Sequence, residues 1–146
     1  SSDFIIAYPD ETLDDFEKTL SLMKQVEFIN SYSFIFSARP GTPAAKLIKI
    51  DEKIAKERLA IFQKTANEIK ANYRKGLINS TAIVLFENNT RGPNKYFGRD
   101  EYFNSIIVHS NQDLTGTIKK VKINKCNQNT LFGEIILENK RKEFAA

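Results

Sequence analysis

Residues 32–45 read Tyr-Ser-Phe-Ile-Phe-Ser-Ala-Arg-Pro-Gly-Thr-Pro-Ala-Ala, and they put a guanidinium, Arg39, and a hydroxyl, Thr42, on one short stiff loop. Pro40 restricts Arg39 to extended backbone, Gly41 permits positive φ, and Pro43 restricts Thr42. A guanidinium held in this way can pair with a carboxylate or phosphate of a ligand, or it can fix the loop to a neighbouring acidic side chain. Arg39, Gly41 and Thr42 are therefore the candidate ligand-facing residues of the first half.

A second group lies further on. Between residues 91 and 125 there are seven Lys or Arg against three Asp or Glu, an excess that equals the net charge of the whole chain, +4. Arg91, Lys95, Arg99, Lys119, Lys120, Lys122 and Lys125 are interleaved with Tyr96, Phe97, Tyr102 and Phe103. Cations hold phosphates and exposed rings stack on unpaired bases, which is the combination used for single-stranded or looped RNA. In the competing reading the rings fill a core and the lysines solvate its surface. Arg91, Lys95, Arg99, Lys119 and Lys122 are the candidate RNA-binding residues. Strand alternation sends Lys120 and Lys122 to one face and Lys119 to the other.

Other chemistry is sparse. Cys126 is the single cysteine and His109 the single histidine, so the chain supplies neither an internal disulfide nor a cluster of zinc or iron–sulfur ligands. Glu11 reads as a helix-terminus charge, not as a general base. No apolar run approaches the roughly 20 residues that span a bilayer, and no signal-peptide pattern opens the chain. The expectation is a cytoplasmic protein without membrane contact. The chain starts Ser1-Ser2-Asp3 directly before a strand-like run, as a fragment would.

The elements that must position these residues follow from periodicity. Asp3 to Tyr8 is a short apolar run of the sort found in a parallel strand buried on both faces. Thr12 with Asp15 forms a capping-box pattern at the start of a helix whose Leu13, Phe16, Leu20 and Met23 share a face. The strand of Tyr32, Phe34 and Phe36 completes a βαβ unit, which calls for further parallel strands. Asp51 caps a long helix with a stripe of Ala55, Leu59, Phe62, Ala66, Ile69 and Tyr73, and Gly76 suits its C′ position.

After Gly76 the helical period vanishes. Thr81 to Glu87, Tyr96 to Arg99, Ser105 to His109, Gly116 to Lys125 and Leu131 to Leu137 read as short strands separated by Asn, Gly and Asp turns. Five strands in so short a span predict a small, closed or nearly closed barrel of the oligonucleotide-binding type. Ile118 differs in parity from Val121 and Ile123, which predicts a bulge between them. The fold class is thus α/β plus all-β. The charged tail from Glu138 to Ala146 should fray.

Three blocks of sequence then carry a family likeness. Residues 3–12, Asp-Phe-Ile-Ile-Ala-Tyr-Pro-Asp-Glu-Thr, are similar to D-x-I-V-G-F-P-G-E-T; Phe34 to Ala45 is similar to F-x-Y-S-x-R-P-G-T-P-A-A; and Thr81 to Leu137 looks like a TRAM domain. In this order the chain resembles the carboxyl-terminal part of the radical-SAM methylthiotransferases, and Arg39 favours their tRNA-modifying branch. Ala7 and Asp10 depart from the pattern, since each stands where the family has glycine.

The resemblance implies that residues 1–75 are the carboxyl-terminal portion of a partial (β/α) radical-SAM barrel. Residues 76–140 would be a five-stranded OB-like TRAM barrel that grips the tRNA anticodon stem-loop, and 141–146 a tail. It implies methylthio transfer to carbon 2 of an N6-modified adenosine in the intact family, with S-adenosylmethionine and 4Fe–4S clusters as cofactors. The cluster cysteines are not in this chain, so alone it should be inactive, and a separate chain could supply that part. Two alternatives stand beside this reading: a non-catalytic RNA-binding fragment of a split or degraded gene, and a methylthiotransferase acting on another substrate.

Overall fold

The computed structural model describes residues 1–137, and the tail expected to fray lies outside them. The chain divides into two compact units, Ser1–Tyr73 and a second that starts at Arg74. In the first unit, strands β1 (Ser2–Ile6) and β2 (Ser31–Ile35) pair in parallel, Ile5 opposite Phe34 and Ile6 opposite Ile35. Helix α1 (Leu13–Val26) makes the crossover. Its capping box is present in full: the Thr12 hydroxyl accepts from the Asp15 N–H at 3.1 Å, and the Asp15 carboxylate accepts from the Thr12 N–H at 3.0 Å.

Helix α2 (Glu52–Gly76) starts where the Asp51 carboxylate accepts from the N–H groups of Lys53 and Ile54. Both helices pack on one face of the two-stranded sheet. The core there consists of Ile6, Ala7, Phe16, Met23, Ala55 and Phe62, with Phe4, Leu20, Ile35, Leu59, Ala66 and Ile69 against it. Leu13 does not join its stripe; it is the first helical residue and is exposed.

Three expectations need correction here. First, β1 is not buried on both faces: Ile5 and its partner Phe34 are each 61% exposed, because no described element covers the side of the sheet away from the helices. Second, β1 ends at Ile6, since Ala7 takes a left-handed φ of 59°. Third, Gly76 is not the left-handed residue that ends α2. The helix tightens through Leu77 N–H to Arg74 O and Ile78 N–H to Lys75 O, and the left-handed residue comes later, at Asn79, with φ 70°.

The second unit is a closed five-stranded barrel with strand order β3-β4-β5-β7-β6. Its strands are β3 (Thr81–Asn89), β4 (Lys95–Arg99), β5 (Ser105–His109), β6 (Ile118–Cys126) and β7 (Leu131–Ile135). All neighbours are antiparallel except β5 and β7. Val84, Phe86, Tyr96, Ile106, Val108, Leu114, Val121, Ile123 and Leu131 fill the interior, and Cys126 packs against it. Gly98 and Gly133 let strands cross closely: a Cβ on either would collide with a backbone oxygen of the adjacent strand, that of Leu85 or of Lys122.

The bulge expected between Ile118 and Val121 is absent, for β6 stays in register with β3 from Lys122 opposite Thr81 to Ile118 opposite Leu85. Ile118 simply points outward and is exposed. The irregularities fall elsewhere, between Phe86 and Asn88 against β4 and between Ile123 and Lys125 against β7.

Candidate ligand loop and basic barrel surface

In the first unit the loop after β2 is built by its own sequence. Phe36 N–H donates to Ile6 O at 2.9 Å, which carries the sheet pairing one residue past the strand. Arg39-Pro40-Gly41-Thr42 then makes a β-turn of type II, with Pro at the second position and Gly41 at φ 83° in the third. Both the N–H and the hydroxyl of Thr42 donate to Arg39 O, at 3.2 and 2.8 Å. A short 3-10 turn, Pro43–Lys46, follows.

The turn leaves the Arg39 side chain exposed, and among the described residues it makes no ion pair. The acidic anchor that would have made Arg39 a purely structural residue is therefore missing from the described residues. Arg39 and Thr42 border a concavity of about 520 Å³ whose other walls include Ile5, Phe34, Phe36 and Ala44. An apolar, aromatic floor with one guanidinium, Arg39, and the hydroxyls of Ser37 and Thr42 around it suits a flat organic ligand that carries an anionic group.

The opposite loop, from Ala7 to Glu11, is held by a contact that the sequence did not reveal. The Glu11 carboxylate accepts from Ala7 N–H at 3.0 Å and from Arg58 at 2.6 Å, and Arg58 also donates to Glu11 O at 2.9 Å. Arg58 lies over the Phe16 ring, 5.6 Å from its centroid. Glu11 is thus a largely buried clamp on the strand end, not simply a helix-terminus charge. Arg58 sits on α2 off the apolar stripe, and nothing in its neighbourhood of sequence points to a partner 47 residues earlier.

In the second unit the nominated cations form a spread-out strip. Arg91 lies on the β3–β4 turn and Lys95 opens β4, its stem over Gly92. Arg99 closes β4, one ring contact from Phe97 at 5.5 Å and 3.6 Å from Glu87. Outward positions run across three strands from Ile118 to Leu85 to Arg99, so β6 lies about 10 Å from Arg99 at that level.

Lys122 stands opposite Thr81, at the far end of β3 from the Arg91 turn, a distance on the order of 25 Å. Lys119, Lys120 and Lys122 are all exposed. Lys120 and Lys122 share the outer face, whereas Lys119 has the parity of the buried Val121 and emerges at an open end of the barrel beside Leu114, Ile118 and Ile135. The strand order therefore sets Arg99 two strands from Ile118 on the outer face, with Lys119 next along β6 but of opposite parity, and places Arg91 and Lys95 at the β3–β4 turn. Of the interleaved aromatics, Tyr96 is core, Phe97 is half-buried, and Tyr102 and Phe103 are exposed.

Two further observations bear on class. No described helix is long and apolar enough to cross a membrane. No family model matches the chain. By direct comparison, however, the chain is a homologue of proteins named tRNA-2-methylthio-N(6)-dimethylallyladenosine synthase. Over 144 residues, 97% of its length, it is 48% identical to the tRNA-2-methylthio-N(6)-dimethylallyladenosine synthase of Pelagibacter ubique, strain HTCC1062.

It is 40% identical over 137 residues to the synthase of the same name from Rickettsia canadensis, and 41% over 139 residues to that of Vesicomyosocius okutanii. The match falls on the carboxyl-terminal part of these proteins, and the chain spans about a third of the length of the curated relatives, 32% of the first and 31% of the others.

Proposed function

We propose that this chain is the carboxyl-terminal part of a tRNA-modifying methylthiotransferase, contributing a barrel rim and a tRNA-binding domain. The observation that carries the proposal is 48% identity across 97% of the chain to a protein named for 2-methylthio-N6-dimethylallyladenosine synthesis. In this reading residues 1–75 are the closing strands and helices of a (β/α) radical-SAM barrel. The parallel β1–α1–β2 unit supports it, as does the bare sheet face of Ile5, Tyr32 and Phe34, which is the face such a barrel turns inward.

The loop of Arg39 and Thr42 follows the carboxyl end of β2, the end at which α/β folds place ligands. Arg39 would orient an anionic group there, Gly41 would keep the turn open, and the aromatic floor would exclude water. Residues 76–140 would be a TRAM domain that holds the anticodon stem-loop through Arg91, Lys95, Arg99, Lys119 and Lys122. A strip of cations suits a phosphate backbone better than a point ligand does.

The intact enzyme would add a methylthio group at carbon 2 of an N6-modified adenosine near the anticodon, in the cytoplasm. S-adenosylmethionine and 4Fe–4S clusters supply the radical and sulfur chemistry of the family. The residues present do not suit a cluster: Cys126 is the single cysteine of the sequence, and no three His, Cys, Asp or Glu side chains converge among the described residues. The cluster ligands would belong to a part outside this chain.

Mass spectrometry of tRNA nucleosides tests the proposal in cells with the gene deleted and then restored. Methylthioadenosine should disappear and return. Unchanged methylthioadenosine, together with RNA binding by the chain, would favour the non-catalytic RNA-binding reading instead.

A further inference from the structure

The β4–β5 connection, Asp100 to Asn104, is unusually well fixed for a loop that shows two aromatic rings to solvent. Asp100 Oδ1 accepts from Tyr102 N–H at 3.0 Å and from Asn104 N–H at 2.9 Å, and Asp100 Oδ2 accepts from the Asn104 side-chain amide at 2.9 Å. Asn104 is buried, and Phe103 N–H closes the turn onto Asp100 O at 3.0 Å. On this frame Phe103 adopts a φ of 61° and is 73% exposed, and Tyr102 is 61% exposed.

A bulky residue in the left-handed region is a backbone outlier, and a residue left mostly exposed returns little packing in exchange. Beside Tyr102 a cleft of about 280 Å³ opens at this end of the barrel. Its walls include Ile83, Leu77 and Leu131, with Asp100, Glu101 and Lys120 as charged groups, Asp100 being already bonded within the turn. That is room for a flat heteroaromatic ring, with apolar walls for its faces, a carboxylate to accept from an exocyclic amine, and an ammonium for a neighbouring phosphate.

We infer that the Asp100–Asn104 turn is a stacking subsite for unpaired nucleobases, Tyr102 receiving a base at the cleft and Phe103 presenting a second ring beside it. The inference deepens the RNA-binding reading and rests on it. Rigid placement matters because a ring already ordered loses little entropy when a base stacks on it. Stacking on a ring does not depend on base identity, so this subsite selects unpaired over paired RNA, not one sequence over another.

The test uses the 146-residue chain, an RNA hairpin with 2-aminopurine in its loop, and a fully paired duplex of the same length. Tyr102→Ala and Phe103→Gly should each weaken hairpin binding about tenfold and relieve the quenching of 2-aminopurine, with duplex affinity unchanged. Phe103→Gly removes the left-handed outlier and should melt no lower than the unaltered chain, so lost binding cannot be ascribed to unfolding. If the unaltered chain binds the hairpin and both variants bind it equally well with the same quenching, the rings serve another partner and the subsite is overturned while RNA binding stands. If the unaltered chain binds neither RNA, the subsite and the RNA-binding reading both fall.

Discussion

Glu11 and Arg58, 47 residues apart, meet at 2.6 Å with only 11% and 12% of their side chains exposed. The pair ties α2 to the loop that follows β1, and through Glu11 it fixes Ala7 N–H at the strand end. Removing one partner leaves the other charge buried and unpaired. Arg58→Met should therefore cost about 3 kcal/mol of stability in the first unit, measured by denaturant unfolding. Glu11→Gln, which keeps an acceptor for Ala7 N–H, should cost about 1–2 kcal/mol. A neutral Arg58→Met would show that the pair does not hold the loop.

Ala7 and Asp10 are left-handed, at φ 59° and 67°, at the two positions where the resemblance expects glycine. Glycine removes the Cβ penalty but adds unfolded-state entropy, a net gain of about 0.5–1 kcal/mol. Asp10 is exposed, so Asp10→Gly should show that gain. Ala7 is buried, and loss of its methyl, about 0.8 kcal/mol, should bring Ala7→Gly close to neutral. Thermal melts of both variants check the contrast; a destabilising Asp10→Gly would refute it.

Gly98 and Gly133 face backbone oxygens of neighbouring strands that cannot move without opening the barrel. Gly98→Ala or Gly133→Ala should cost at least about 2 kcal/mol, seen as loss of barrel cooperativity in hydrogen exchange. Gly116→Ala serves as a contrast, since its Cβ would meet nothing within 4 Å and its penalty comes only from a φ of 73°. Equal effects at all three would contradict the close-approach argument.

Asp15 is held below the usual aspartate range, first by its side-chain hydrogen bond with Thr12 and then by the Thr12 N–H. A depressed folded-state pKa stabilises the folded form above the unfolded value, about pH 4, and that contribution is lost as the pH falls through the folded value. NMR titration of the Asp15 carboxyl should show the depression, and Thr12→Ala should raise it. A titration unmoved by Thr12→Ala would mean the capping box is not its cause.

The capped helices and the five-stranded barrel were legible in the sequence because capping residues, a 3.6 period and short alternating runs are local signals. What stayed hidden was set at long range. The Glu11–Arg58 pair depends on how α2 lies across the sheet, and Ile118 faces outward because of its register with Leu85. Left-handed geometry moved from Gly76 to Asn79 because the helix end tightened before it turned. Of the site, the Arg39 loop was legible from Pro40, Gly41 and Pro43 alone. The division of cations between two regions of the barrel needed the strand order, and Phe103 looked no different from a core aromatic.

The proposed RNA grip requires that the barrel's cations meet RNA phosphates. The decisive measurement is the salt dependence of binding to an anticodon stem-loop, for the 146-residue chain and for the variant with Arg99, Lys119 and Lys122 all changed to alanine. The account predicts weaker binding and a log–log salt slope shallower by about 2–3, one phosphate contact for each cation removed. An unchanged slope would contradict it.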